Sequence, residues 1–253
     1  MKGARGMVMR LFIVVAFLVA CTVASQAQSL TRAQRDSIVN VGVMLHDRGE
    51  FEKAIDVYQT ILDQDPDDVM ALYEIAYSYS AMNIPMKSIE YAERAVPNAE
   101  EPLKTHLRMM IANNLDAAGE SDKALDVYRT IIEVQPNVPL VYFNMAVTYL
   151  VKGQTDSSLK MVERSIVLDP GHPGSRYVCM RNHIEKQNQV PALVMGAIML
   201  ALDPTGKRGA EVIQTMDQVA LVSSQRRVDS SGQVGMNVNV RSKTDADSIW
   251  NVS

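Results

Sequence analysis

A chain of 253 residues, 47% of them hydrophobic, has ample apolar material for a buried core. Its formal charge of −4, with no basic stripe, argues against a nucleic-acid partner. Aromatics make up only 6%, while Ala, Leu, Met, Glu and Lys are plentiful, which favours helix.

The N-terminal stretch MKGARGMVMR carries Lys2, Arg5 and Arg10 and no acid. The apolar run LFIVVAFLVACTV follows, then SQAQ with Ser25 and Ala27 at the small positions a signal peptidase requires. Residues 1–27 thus read as a secretory signal peptide, with an apolar core too short for a comfortable membrane span. The expected location is the periplasm or cell envelope. Leu18-Val19-Ala20-Cys21 also fits a bacterial lipobox. Acylation of Cys21 would make an outer-membrane lipoprotein, and is the one membrane attachment this reading allows. Cleavage after Ala27 is preferred because the region after Cys21 is so well formed. Cys179 is then the remaining cysteine, and no intramolecular disulfide can form.

From residue 35 the chain repeats itself. KAIDVYQTILDQDP begins at Lys53 and KALDVYRTIIEVQP at Lys123, while Pro136, Pro170 and Pro204 are spaced by 34. A period of 34 is that of a helix–turn–helix unit in a solenoid. Frames starting near residues 35, 69, 105, 139 and 173 align three features. The eighth position reads Gly42, Ala76, Ala112, Ala146, Met180, and the twentieth Ala54, Ser88, Ala124, Ser158, Ala192. Mostly small residues there let two antiparallel helices approach closely. The fifteenth reads Gly49, Asn83, Gly119, Gly153, Gln187, and Gly or Asn suits the left-handed residue that ends a first helix.

This pattern resembles the tetratricopeptide repeat family. The third frame carries the match in Ile111, Ala112, Leu115, Gly119, Ala124, Tyr128, Ile131 and Pro136. The resemblance covers about residues 35–205 and implies an all-α, right-handed α-solenoid of about five helical hairpins. It departs from the pattern at Glu100, where proline is expected, and at Met180 and His183 in the fifth frame.

VPALVMGAIMLALDP, which ends at Pro204, is apolar nearly all round, so this helix is expected to be buried on every side. Val212, Ile213, Met216, Val219 and Ala220 recur at helical spacing and predict a closing helix over it. After Val222 the text turns polar, and Val234, Met236, Val238 and Val240 then alternate in a strand-like period before Trp250. The domains expected are therefore a signal peptide (1–27), the repeat array (28–205), a closing helix (206–223) and an irregular tail (224–253).

Catalytic signatures are missing from the sequence. TGK at Thr205–Lys207 lacks the rest of a phosphate-binding loop, and no G-x-S-x-G or H-E-x-x-H occurs. Cys179 and His183 are four apart, but two ligands do not make a zinc site, and the inward position of Cys179 favours a buried structural thiol. No cofactor, metal site or enzyme activity is expected.

In the solenoid that the resemblance implies, positions two, five, nine and twelve of the first helices line a concave groove. Tyr73, Tyr77, Phe143 and Tyr177 are the expected exposed apolar anchors for a peptide there, with Asn113, Asn144 and Arg181 addressing its backbone or a charged group. Some members of the family clamp C-terminal carboxylates with Lys and Asn, but Val39 and Val43 stand in the first unit here. The function read from the sequence is a protein- or peptide-binding scaffold or adaptor of the bacterial cell envelope. The alternative is an envelope enzyme accessory or small-ligand binder using the same groove.

Overall fold

The computed structural model describes residues 30–224. The expected signal peptide, Cys21 and the stretch from Val234 to Trp250 lie outside the described residues. The chain divides into two compact units between Glu100 and Glu101.

The first unit holds two helical hairpins. They are α1 (Arg32–Asp47) with α2 (Phe51–Leu62), and α3 (Val69–Ala81) with α4 (Pro85–Ala95). Each start has a local cause. Thr31 and Gln34 form a reciprocal capping box on α1, the Asp68 carboxylate accepts the Ala71 N–H at the head of α3, and Pro85 opens α4 where its missing N–H costs nothing. Helices α2 and α3 also pack together, so the two hairpins stack.

The second unit holds three hairpins and an additional helix. The hairpins are α5 (Leu103–Ala117) with α6 (Ser121–Val134), α7 (Pro139–Val151) with α8 (Thr155–Leu168), and α9 (Pro173–Glu185) with α10 (Gln189–Leu202). Helix α11 (Gly209–Ser224) packs against α10. Proline opens α7 and α9, and the His172 imidazole accepts the Ser175 N–H as the α9 cap.

All five first helices end alike. Gly49, Asn83, Gly119, Gly153 and Gln187 have φ of 76°, 56°, 81°, 70° and 57°. In each case the next N–H reaches back five residues, as from Glu50 to the Leu45 carbonyl and from Asn188 to that of His183. This is the glycine-type stop the fifteenth position predicted, and Gln187 adopts it despite a side-chain cost of about 1–2 kcal/mol. The eighth and twentieth positions are buried in every hairpin, from Gly42 and Ala54 to Met180 and Ala192. Two apolar clusters fill the second unit. One forms around Ala112, Tyr128, Val141 and Met145, the other around Val147, Val162, Val178 and Met199.

The end of the array differs from expectation. Only Ala192, Gly196 and Met199 of α10 are buried, while Val190 is 71% exposed and Val194 and Leu202 are also open. The expected all-round burial does not occur because α11 covers one flank only. Val212 is fully buried there and Met216 lies against Gly196, but Ile213 faces out. Among the described residues no helix is long and apolar enough to cross a membrane.

Candidate functional site

The face formed by α1 and α3 is built from residues spaced four apart, which a helix places one above the other. Tyr73 and Tyr77 are such a pair, with parallel rings 6.3 Å apart, and Tyr77 is 42% exposed. His46 of α1 stacks on Tyr77 at 4.7 Å, takes the edge of Phe51 at 4.9 Å, and sets Nδ1 3.1 Å from the Ser78 hydroxyl. Met70, also exposed, extends the surface one turn. Burial lowers the His46 imidazole, against the opposing pull of Asp47.

Glu74, between Tyr73 and Tyr77 on the same helix, is partly buried. Burial pushes its carboxyl up; the Tyr58 hydroxyl opposes that and the Asp47 carboxylate adds to it. The Tyr58 hydroxyl faces Glu74 without a hydrogen bond of full geometry, and burial and this carboxylate push the phenol up. The Tyr73 phenol is raised by burial and then by Glu74.

In the second unit the corresponding polar residues are bound to one another. Tyr128 donates its hydroxyl proton to Asn113 Oδ1, and Asn144 Nδ2 donates to the same oxygen at 2.9 Å. Thr148 donates to Asp116 Oδ2 at 2.9 Å, and Ser121 donates to the other oxygen of that carboxylate. Asn113 and Asn144 thus join α5, α6 and α7.

Phe143 and Tyr177 are not the exposed anchors the groove positions suggested. Phe143 is 5% exposed because the following hairpin covers it: the His172 ring meets it edge-on at 4.7 Å. Tyr177 is 2% exposed and donates to Glu211 of α11 at 2.7 Å, with the Arg208 guanidinium 4.8 Å over its ring. Arg181 lies 3.8 Å from the same Glu211 carboxylate. Of the seven candidate residues, Tyr73 and Tyr77 come together on an open face, whereas Asn113 with Asn144 and Tyr177 with Arg181 serve internal contacts.

The repeat frame missed one class of residue. The tenth position is polar and buried in four hairpins, as Ser78, Asn114, Thr148 and Asn182, each bonding to the carbonyl four residues before it. Ser78, Thr148 and Asn182 also meet a polar side chain of the preceding hairpin: His46, Asp116 and Ser158. A count of polar recurrences beside the apolar ones would have found this position.

Reactive chemistry is not gathered in one place. Cys179 is buried and its thiol pushed up to about 11, chiefly by burial, which keeps it protonated and inert at neutral pH. Among the described residues no three His, Cys, Asp or Glu side chains converge as a metal site.

A sequence profile described as TPR repeat matches residues 42–83. Solved structures with the same architecture include YrrB, a TPR protein with an unusual peptide-binding site. It is 20% identical over 70% of this chain and 90% of its own, with a TM-score of 0.52. TTC0263, a thermophilic TPR protein of Thermus thermophilus, is 18% identical over 74% and 99%, with a TM-score of 0.59. MamA of Desulfovibrio magneticus RS-1 is 13% identical over 68% and 97%, with a TM-score of 0.57. At such identities the likeness is one of fold. The repeat profile over residues 42–83 and this common architecture show that the chain carries a tetratricopeptide repeat and shares the helical-hairpin solenoid fold of these proteins.

Proposed function

We propose that the protein is a scaffold that binds a protein or peptide segment, without chemistry of its own, on the exposed first-helix face of its N-terminal hairpins. The observation that carries this reading is the α1–α3 surface. Tyr77, 42% exposed, Met70, 37% exposed, and the partly exposed Tyr73 share one amphipathic face, with His46 stacked on Tyr77. In the second unit the equivalent fifth- and ninth-position residues of the fourth hairpin, Phe143 and Val147, are buried, so open aromatics are not a requirement of the repeat. YrrB offers a parallel, since that fold carries a peptide-binding site. The basic and apolar N-terminal stretch, with small residues at Ser25 and Ala27, supports export to the bacterial envelope as the setting.

A photo-crosslinking amino acid at Tyr77, introduced in the native host, should trap a polypeptide adduct from the envelope fraction. The same group at exposed Val167, on a second helix of the other unit, should not. Equal trapping at both positions, or none at Tyr77, would overturn the assignment. Mass spectrometry of the mature protein tests its setting: a chain beginning at Gln28 supports cleavage after Ala27, an acylated Cys21 selects the lipoprotein, and an intact leader refutes export.

A further inference from the structure

Resting on that reading of the α1–α3 face, we propose that it selects a cationic side chain of its partner segment, arginine or lysine, laid over the Tyr77 ring with its charge directed to Glu74 and Asp47.

The fold itself does not need these two charges. Tyr58 and Tyr128 occupy the same repeat position and are both fully buried. Around Tyr128 the neighbouring positions hold Asn113 and Asn144, and the phenol hydroxyl is satisfied by an amide. Around Tyr58 those positions hold Val43 and Glu74. An amide does the packing work in one unit, while a carboxylate stands in its place in the other. The position of Asp47 is occupied by Ala117 two hairpins later, so the second acid is equally dispensable to the repeat.

The Asp47 carboxylate adds to the cost of charging Glu74; the Tyr58 hydroxyl works against that cost, but no cation does. Some acids of this unit find cations, Glu50 with Lys53 and Asp36 with Arg32 and Arg35, while exposed ones such as Glu52 and Asp56 are left to solvent. The buried Asp68 likewise takes Arg35 at 2.7 Å. Glu74 and Asp47 form no ion pair among the described residues. The buried Tyr58 hydroxyl, without a hydrogen bond of full geometry, points at the same carboxylate. A partly desolvated, unpaired carboxylate beside a second one favours whatever brings a positive charge.

The rings point the same way. Four tyrosines of this chain already hold a cation over their faces: Tyr79 with Lys87, Tyr91 with Arg94, Tyr142 with Arg164 and Tyr177 with Arg208, at 4.8–5.9 Å. Tyr77, the one exposed beyond a third of its surface, has no such partner among the described residues. His46 and Tyr73 flank its ring and hold it in place, while 42% of the residue stays open to a ligand. The ring quadrupole and the carboxylates of Glu74, one turn earlier on the same helix, and Asp47, next to His46, add their attraction for a cation, and both disfavour an acidic segment.

The test uses the full chain with carbon-13-labelled tyrosine and four blocked tripeptide probes: Ala-Arg-Ala, Ala-Lys-Ala, Ala-citrulline-Ala and Ala-Glu-Ala. The Arg or Lys probe should shift the Tyr73 and Tyr77 ring resonances saturably. The neutral citrulline isostere should bind about tenfold more weakly, and the Glu probe more weakly still. Glu74→Gln should bring the Arg probe down to the citrulline level while leaving citrulline binding unchanged. Asp47→Asn, at an exposed site that leaves folding intact, should weaken the Arg probe in the same direction. Equal affinity for the Arg and citrulline probes would overturn the cation assignment and leave the peptide-binding face standing. If no probe shifts either ring, the face and its selectivity fall together.

Discussion

Replacing Gly42 by alanine inserts one methyl group where the fold leaves no room for it. A Cβ on Gly42 would lie 2.3 Å from Cε1, 2.4 Å from Cζ and 2.9 Å from Cδ1 of Tyr58. Carbon atoms in contact sit about 3.5–4.0 Å apart, so the ring must retreat by more than about 1 Å. The ring is rigid and wholly buried, and its retreat therefore moves α2 away from α1. Overpacking of this kind costs about 1–3 kcal/mol, and the better helix propensity of alanine returns up to about 1 kcal/mol. A net loss of about 1–2 kcal/mol follows. The second unit does pair an alanine, Ala112, with Tyr128, but there the phenol is held by Asn113. A displaced Tyr58 would find Val43 at that place and gain no partner.

Urea unfolding followed by circular dichroism measures the loss, and two companions isolate its cause. Gly49→Ala meets nothing within 4 Å and costs stability only through its φ of 76°, so its effect should not depend on Tyr58. Gly42→Ala should cost little in a Tyr58→Leu background, since the flexible side chain can yield. An equal loss with and without the Tyr58 ring, or a raised midpoint for Gly42→Ala alone, would refute the steric account.

Three further outcomes are expected. The His172 Nδ1 atom accepts the Ser175 N–H at 3.1 Å, and burial lowers its pKa against the pull of Asp169, so the unfolded chain takes the proton first and stability falls as pH drops below about 6.5. His172→Asn caps without titrating and should reduce the slope of melting temperature against pH; an unchanged slope would sink this. Thr148→Val removes the bond to Asp116 from a fully buried position and should cost about 1–2 kcal/mol in urea, whereas Lys152→Gln, whose partner Asp122 is exposed, should stay within about 0.5 kcal/mol. In a Cys21→Ser background, Cys179 should react with a thiol reagent only on unfolding, and native-state labelling at the rate of a free thiol would contradict its burial.

The hairpins were legible because their determinants are steric and recur. Small residues at Gly42, Ala76 and Ala54 mark helix–helix approach, and Gly49, Asn83 and Gly119 mark left-handed stops, whatever the surrounding sequence. Exposure on the first-helix face was not legible in the same way. Phe143 and Tyr77 stand at groove positions of equal rank, yet one is covered by His172 and the other remains open. That difference depends on how far each neighbouring hairpin reaches over, which no single frame encodes. Helix α10 failed for a related reason. A uniformly apolar segment shows that no polar face is present but not that every face has a cover, and α11 covers α10 only on the flank that its Val212 and Met216 reach.

A repeat protein carries its own control, because two hairpins solving the same packing problem reveal which residues the problem requires. His46 with Ser78 and Asp116 with Thr148 are the same contact between a twelfth and a tenth position, made with different chemistry. The bond is structural, since either pair supplies it. What the first unit adds is a flat ring that stacks on Tyr77, where the second has a carboxylate turned toward Ser121. Glu74 in place of Asn144 is a second such departure on the same face, and it leaves a charge unpaired where an amide had closed the network. Two independent departures from the packing solution converge on Tyr77, the open ring. Selection for stability alone would have kept the amide there, because an unpaired carboxylate at a partly buried site destabilises the fold. The stability forgone at Glu74 is therefore the physical reason to look for function on α1 and α3 rather than on the better-packed second unit.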